Sequence, residues 1–386
     1  MTGAQPDINE GASRSAGGRP MARVYLDHNA TTPLRPEARA AMHAAMDVVG
    51  NPSSVHAEGR AAKGLVEQAR AQVAALVGCK TSQVIFTSSA TEAAALAVAQ
   101  KDRHGGTFAA LPTEHDCLRV WGTTDLPSAY TGDGTLLAGW RDQLPKGLIA
   151  VSAANSETGM MLDAAQVAGS GPGRSVICDI TQVAGKMPII FDDETPSYAI
   201  LSAHKMGGPK GIGALINFTA HDPQAILRGG GQEMGRRSGT ENIIGIAGFG
   251  AAAEAAGRDV AAGHWDRVAN IRDVLETALA GGSKKTILVG KCAPRLPNTS
   301  CILTEGWKGE TQVMQMDLAG FAISAGSACS SGKVKASTVL RAMGFEEHQA
   351  ACAIRVSLGL ETTQDDVLRF ADAWLAKQKR HEQRAA

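Results

Sequence analysis

Four polar residues stand where apolar runs of the chain end. Residues 84–88 (VIFTS) lead into Ser88-Ser89-Ala90-Thr91-Glu92 and an alanine-rich stretch. Small residues at a helix start leave backbone N–H groups open, and the Thr91 hydroxyl adds a donor; together they make a seat for phosphate. The run 175–180 (SVICDI) delivers one carboxylate, Asp179, to a sheet edge. The run 198–203 (YAILSA) is followed by His204-Lys205 and then Met206-Gly207-Gly208-Pro209-Lys210-Gly211. A lysine amine buried at such an edge holds its proton less tightly and becomes a nucleophile toward carbonyls. His115 follows 107–111 (TFAAL), where it can stack on a ring and exchange protons. Taken singly, each has a plainer use: Ser89 or Thr91 as a helix cap, Asp179 as a turn cap, Lys205 as solvated surface, His115 as a structural hydrogen-bonding group.

Together they point to one cofactor. A phosphate seat, an acid able to pair with a pyridinium nitrogen and an imine-forming lysine are the three anchors that pyridoxal 5′-phosphate needs. The order Thr91, Asp179, Lys205 on successive strands is what a ring lying across a sheet edge requires. Rival motifs are missing: no G-x-x-x-x-G-K-[ST], no G-x-G-x-x-G opening a helix after a strand, and no H-E-x-x-H.

The elements that must position these groups can be read from punctuation and periodicity. Pro36 and Glu37 open an Ala/Met-rich helix to Val49, closed by Gly50-Asn51-Pro52, and a second helix over 60–76 stops at Gly78. Short apolar runs then alternate with helices through 218, the pattern of a mostly parallel α/β sheet whose ligand groups gather at strand C-termini. Residues 243–263 read as a long helix and 264–280 as an amphipathic one. Beyond them, TSCILT, FAISAG and AIRVSLG mark a smaller α+β lobe. The expected division is a flexible tail over 1–20, a large domain over 21–263 whose first ~15 ordered residues can pack with the small lobe, and a small domain over 264–386.

Composition narrows the class. With 386 residues, 44% hydrophobic and 20% charged, the chain can bury a large core, which excludes disorder as a whole-chain reading. Lys+Arg and Asp+Glu balance at 38 each, so no electrostatic footprint for nucleic acid or an anionic membrane exists. No apolar run approaches the ~18 residues of a membrane span. The 7 cysteines are widely spaced without a C-x-x-C pair, which fits reduced thiols in a cytoplasm better than disulfides or structural zinc. Glycine, at 44 of 386, exceeds the usual share of about 7%, as where backbone must approach a ligand or a partner closely.

Almost the whole chain, about 21–375, carries a resemblance to the cysteine desulfurases of the class V, fold-type I pyridoxal-phosphate family. It rests on YLDHNATTP (25–33), NPSSVH (51–56), FTSSATE (86–92), TEHD (113–116), ANSETG (154–159), DITQVAGK (179–186), SAHKMGGPKGIGAL (202–215), GGGQEMGRRSGTEN (229–242), SAGSACSSG (324–332) and IRVSLG (354–359). The GGGQE and ACSSG segments are similar to the nitrogen-fixation (NifS) type. The resemblance implies a seven-stranded, mostly parallel sheet in the large domain. It implies that Lys205 holds the cofactor covalently, that Ala90, Thr91, Ser202, Ala203 and His204 surround its phosphate, and that Asp179 pairs with the ring nitrogen. Gln182, with Asn155 or Ser156, would meet the ring's phenolic oxygen, and His115 would stack on the ring. Thr240 would reach the phosphate of a neighbouring subunit in a homodimer. Arg355, with Asn155, would bind the substrate carboxylate.

Two departures stand out: Ser89 where the family has glycine, and Asn155-Ser156 where it has paired asparagines. Cys329, in Ala325-Gly326-Ser327-Ala328-Cys329-Ser330-Ser331-Gly332, lacks the apolar neighbours of a buried thiol. The implied reaction converts L-cysteine to L-alanine: Lys205 or His115 moves the α-proton, the Cys329 thiolate takes the sulfur as a persulfide, and an iron–sulfur scaffold protein receives it for cluster assembly, nitrogenase clusters included. Metal would meet the chain only there, as a transient iron–sulfur contact at Cys329. Competing readings are a selenocysteine lyase, a housekeeping desulfurase and a non-catalytic sulfur carrier.

Overall fold

The computed structural model describes residues 23–122, 126, 128–162, 173–191, 195–326 and 336–385. The expected tail over 1–20 and Cys329 lie outside the described residues. In chain order, β1 (Val24–Tyr25) precedes helices α1 (Pro36–Met46) and α2 (Ala57–Val77). Then come β2 (Val84–Thr87), α3 (Ala90–Val98), β3 (Phe108–Ala110), α4 (Asp116–Arg119), β4 (Gly147–Ser152), β5 (Arg174–Asp179), β6 (Tyr198–Ser202) and β7 (Gly213–Asn217). The second half holds α5 (Ile243–Ala261), α6 (His264–Gly282), β8 (Thr286–Val289), β9 (Thr299–Thr304), α7 (Gly309–Asp317), β10 (Phe321–Ala322), β11 (Ser324–Ala325), α8 (Thr338–Ala342), β12 (Ala353–Ser357) and α9 (Gln364–Ala385).

The central sheet has the order β2-β7-β6-β5-β4-β3. The pairs β3–β4, β4–β5 and β5–β6 are parallel, while β7 runs antiparallel to both its neighbours. Every strand but β7 therefore points its carboxyl end the same way. Strands covered on both faces read as continuous apolar runs, and their residues alternate between two cores. Ile85, Leu148, Ile177 and Leu215 face one core with α3. Phe86, Ile149, Val176 and Ile216 face the other with α2 and α5. The last two helices sit close enough that a Cβ at Gly250 would lie 2.5 Å from Ala69 Cα. α1 starts on Pro36, where a missing N–H costs nothing, and α2 ends at Gly78 with a left-handed φ of 74.

The seven strands expected for this sheet become six among the described residues. Between β3 and β4 the pairing among the described residues is an isolated Tyr130–Leu136 bridge. The Ser128 hydroxyl both accepts from Tyr130 N and donates to Tyr130 O, so that peptide is bonded locally instead of to a ladder.

A second sheet has the order β11-β12-β9-β8, and β1 pairs parallel with β10. Val24, Leu26, Ile302, Val356, Phe370 and Trp374 share one core beneath α6 and α9. The opposite face of β9, Cys301 and Leu303, joins the core of the central sheet. The two sheets are thus welded through β9. Among the described residues no helix is long and apolar enough to cross a membrane.

Candidate active site

Because the strands share a direction, their carboxyl ends open onto one cavity of about 380 Å³. Ser89, Ala90 and Thr91 arrive after β2, His115 after β3, Ser152 at the end of β4, Asp179 at the end of β5, and Ser202, His204 and Lys205 at and after β6. Asn155, Ser156, Thr181 and Gln182 come from the loops beyond β4 and β5, Asn29 and Ala30 from the strand-like entry, and Arg355 from β12. The register sets these side chains side by side, with Ser152 opposite Asp179 and Ser202 opposite Gly213. Gly213 has to be glycine: a Cβ there would lie 2.6 Å from Ser89 C and 2.8 Å from Ala90 N, displacing the start of α3.

Ser89 is the N-cap of α3, its hydroxyl accepting from Glu92 N at 3.2 Å. Its φ of −173 is extended backbone that any residue adopts, so replacing glycine there strains nothing. Lys205 sits in a single tight turn after β6, and its Nζ donates to the carbonyls of Asn29 (2.6 Å) and Ala30 (2.8 Å). Asp179 Oδ1 accepts from Thr181 N at 2.8 Å, as a turn cap does, while its side chain also lines the cavity. His115 caps α4, and its Nδ1 accepts from Cys117 N at 3.1 Å. The neutral ring therefore carries its proton on Nε2. Burial, with Lys205 and Lys210 beside it, pushes the His204 imidazole down to about 4, so His204 is neutral near pH 7.

Asn155 lines the cavity, but its amide is committed to the loop. Its Oδ1 accepts from Glu157 N, Thr158 N and Thr158 Oγ1, and its Nδ2 donates to Thr113 O. Ser156 uses its carbonyl to accept from Arg355 Nη1 (3.0 Å) and Asn29 Nδ2 (3.3 Å). Arg355 is nearly buried and pairs with Asp27 at 2.8 Å, yet its Nε has no hydrogen-bond partner. Thr181 Oγ1 is likewise buried without a partner. Two proposed residues stand apart from the cavity wall. Ala203 is fully buried in the core and Thr240 is exposed.

Several residues that shape the site were not singled out individually in the sequence. Asn29 is the hub: its carbonyl accepts from Lys205 and Gln182, its amide from Lys186 and Asn298, and its Nδ2 donates to Thr299. Glu114 Oε1 accepts from Ser152 N, and burial pushes its carboxyl up to about 7. Glu157 is also pushed up to about 7 by burial, and accepts from Ser337 Oγ at 2.5 Å. Asn29, Thr181 and Lys186 all lie inside the quoted segments 25–33 and 179–186, but nothing local in those segments marks the contacts they make. Among the described residues no group of His, Cys, Asp and Glu gathers as a metal site.

Comparison with known proteins identifies a family and relatives. The family model for aminotransferase class-V matches residues 24–126 and 140–370. The chain is 39% identical over 389 residues to a cysteine desulfurase of Frankia sp. (strain EuIK1), covering 90% of each chain. It is 38% identical to a cysteine desulfurase of Cereibacter sphaeroides, covering 91% of this chain and 95% of that one. Its fold is similar to the crystal structure of a NifS-like protein from Rickettsia africae ESF-5, with a TM-score of 0.82 and 30% identity over 92% of this chain and 99% of that one.

Proposed function

The chain belongs to the class-V aminotransferase family, with cysteine desulfurases among its relatives, and on that premise we propose that it is a pyridoxal-phosphate-dependent cysteine desulfurase that moves sulfur from L-cysteine to Cys329 and releases L-alanine. The observation that carries the reading is a single cavity walled by the Lys205 amine, the Asp179 carboxylate and the Ser89–Thr91 start of α3. Thr181 and Arg355, two residues of the same wall, each carry a buried polar atom without a protein partner, Oγ1 and Nε. The residues present therefore fit the cofactor. When bound, pyridoxal 5′-phosphate supplies an electron sink for charge developing at the substrate α-carbon.

The chain's own residues divide the remaining work. Lys205 holds the cofactor and moves the α-proton. Asp179 accepts the hydrogen bond of a protonated ring nitrogen. The first N–H groups of α3, with Thr91, Ser202 and neutral His204, hold the phosphate. Gln182 meets the phenolic oxygen. His115, with Nδ1 accepting from Cys117 N, would cover the ring with its proton on Nε2, which leaves Lys205 as the base. Arg355, the guanidinium that lines the cavity, would bind the substrate carboxylate.

The Cys329 thiolate attacks the substrate sulfur. The S–C bond breaks, its electron pair stays with carbon and is protonated to give alanine, and the sulfur remains on Cys329 as a persulfide. Cys117 also lines the cavity, but burial raises its thiol above the ordinary value, so it stays protonated and poorly nucleophilic.

The finer assignments are an iron–sulfur scaffold as acceptor, a nitrogen-fixation role, a cytoplasmic homodimer and a division at 263/264 between a large and a small domain. Exposed Val49, Val55, Ile226, Leu227 and Met234 offer apolar surface that a dimer would cover. Exposed Thr240 then reaches the partner's phosphate. The test is reconstitution with pyridoxal 5′-phosphate, followed by assay of alanine from L-cysteine. Wild type should bind the cofactor as a chromophore near ~400 nm and make alanine, and Lys205→Ala should do neither. A wild-type protein that forms no chromophore overturns the reading.

A further inference from the structure

Lys186 is a costly residue with no place in the reaction above. It is 2% exposed, and its amine touches only neutral oxygens, Gln182 Oε1 at 2.8 Å and Asn29 Oδ1 at 3.3 Å. A buried amine without a carboxylate destabilises a fold relative to an apolar side chain of the same length. Burial, with the positive charges of Lys205 and Arg355 nearby, holds Lys186 well below the ordinary lysine value. It lines a separate cavity of about 180 Å³ with His28, Lys205 and Trp265, not the main cavity. A group kept buried at such cost is a candidate for function.

Its bond to Gln182 shows what that function is. Gln182 Nε2 lies 3.1 Å from Asn29 O. A carbonyl only accepts, so the amide end beside it must be the NH₂, and Oε1 must be the end that faces Lys186. The side-chain amide is thereby clamped at both ends. One Nε2 hydrogen is spent on Asn29, and the other is what Gln182 has to present to the cavity it lines. The clamp is built by spacing: Gln182 and Lys186 are i and i+4 in a helical turn in which Ala184 N donates to Ile180 O and Met187 N to Val183 O.

We propose that Lys186 is a positioning residue that locks the Gln182 amide with its oxygen turned away from the cavity and its N–H turned into it, so that the site offers a donor to the phenolic oxygen of the cofactor. This inference rests on the reading of the cavity as a pyridoxal-phosphate site. A donor at that oxygen stabilises its deprotonated form and lowers the pH at which the bound chromophore titrates. Without Lys186, Oε1 is left buried and unpaired, and the amide turns to find a partner.

The experiment is a spectrophotometric pH titration of the protein loaded with pyridoxal 5′-phosphate, in wild type, Lys186→Met, Lys186→Gln, Gln182→Leu and the Lys186→Met/Gln182→Leu double variant. Lys186→Met should raise the midpoint by about one pH unit. Lys186→Gln, a neutral donor, should restore most of the shift. The double variant should match Gln182→Leu, because Lys186 acts only through Gln182.

A loaded Lys186→Met protein with an unchanged midpoint overturns the proposal. So does a Lys186→Gln protein as displaced as Lys186→Met, since the amine then acts by charge. If Lys186→Met fails to fold, the Lys186→Gln and Gln182→Leu comparison still decides: equal midpoints in those two overturn the proposal, while a shift in Gln182→Leu alone supports it. A wild-type protein that forms no chromophore would instead overturn the cofactor reading, which is a distinguishable failure.

Discussion

Two buried arginine–carboxylate pairs in this molecule look alike and do different things. Arg70–Glu233 and Arg355–Asp27 both close at 2.8 Å with arginines almost out of solvent. Around Arg70 every group is spent. Nη1 and Nη2 grip both Glu233 oxygens, Nη1 also reaches Val84 O, Nε reaches Glu67, and Glu233 takes a further bond from Phe86 N. Around Arg355 one nitrogen holds Asp27, another holds the Ser156 carbonyl, and Nε is left without a partner. The first pair is saturated by protein groups and holds the fold together, whereas the second belongs to a side chain that lines the cavity and keeps one donor unspent by the protein.

That comparison breaks most visibly at the satisfied pair. Arg70→Met leaves Glu233 buried and uncompensated, so it should cost about 3–5 kcal/mol in denaturant unfolding. Alanine production per folded molecule should stay at the wild-type level. At the open pair the effects should reverse. Arg355→Gln should lower kcat/KM for L-cysteine on the order of 10–100-fold, mainly through KM, because it removes a charged donor to the substrate. Its loss of stability should be the smaller of the two, since Asp27 keeps the Ser324 hydroxyl. Steady-state kinetics and melts on the two variants measure both halves; equal stability losses with equal kinetics would dissolve the distinction.

A third buried acid sharpens it further. Glu157 bonds Ser337, and Gly326 lies beside it as well, a Cβ there standing 3.2 Å from Glu157 Oε2. Burial raises its carboxyl from the ordinary 4.5 to about 7, against the opposing influence of Ser337 and Arg355. A carboxyl whose folded value is raised binds its proton more tightly when folded. Its contribution is therefore full below 4.5 and is lost as pH rises through about 7. Melting temperatures of wild type should fall relative to Glu157→Gln across that window; parallel curves would mean that Glu157 does not titrate there.

The parts of the site legible in the sequence are those that hang on strand ends. Thr91, Asp179 and Lys205 each follow an apolar run, and a parallel sheet brings the ends of its strands together whatever else happens. Asn29, Lys186 and Thr181 could not be read that way. Their roles arise where the entry segment, the turn after β5 and the second sheet pack on one another, and no local pattern encodes such a meeting. Ser89 looked like a departure from a glycine turn, but the position turns out to be extended and the hydroxyl to be the helix cap. Near Tyr130 the local bonding is also invisible to a hydrophobic pattern: the Ser128 hydroxyl accepts from Tyr130 N and donates to Tyr130 O.

The central claim is that sulfur leaves cysteine onto Cys329. Mass spectrometry of the intact protein and its peptides, quenched after reaction with L-cysteine without reductant, tests it directly. The account expects one added sulfur atom on the peptide carrying Cys329, alanine formed in equal amount in that first turnover, and neither product in Cys329→Ala. Alanine produced by Cys329→Ala at the wild-type rate, or added sulfur found on another cysteine while Cys329 stays unmodified, would contradict it.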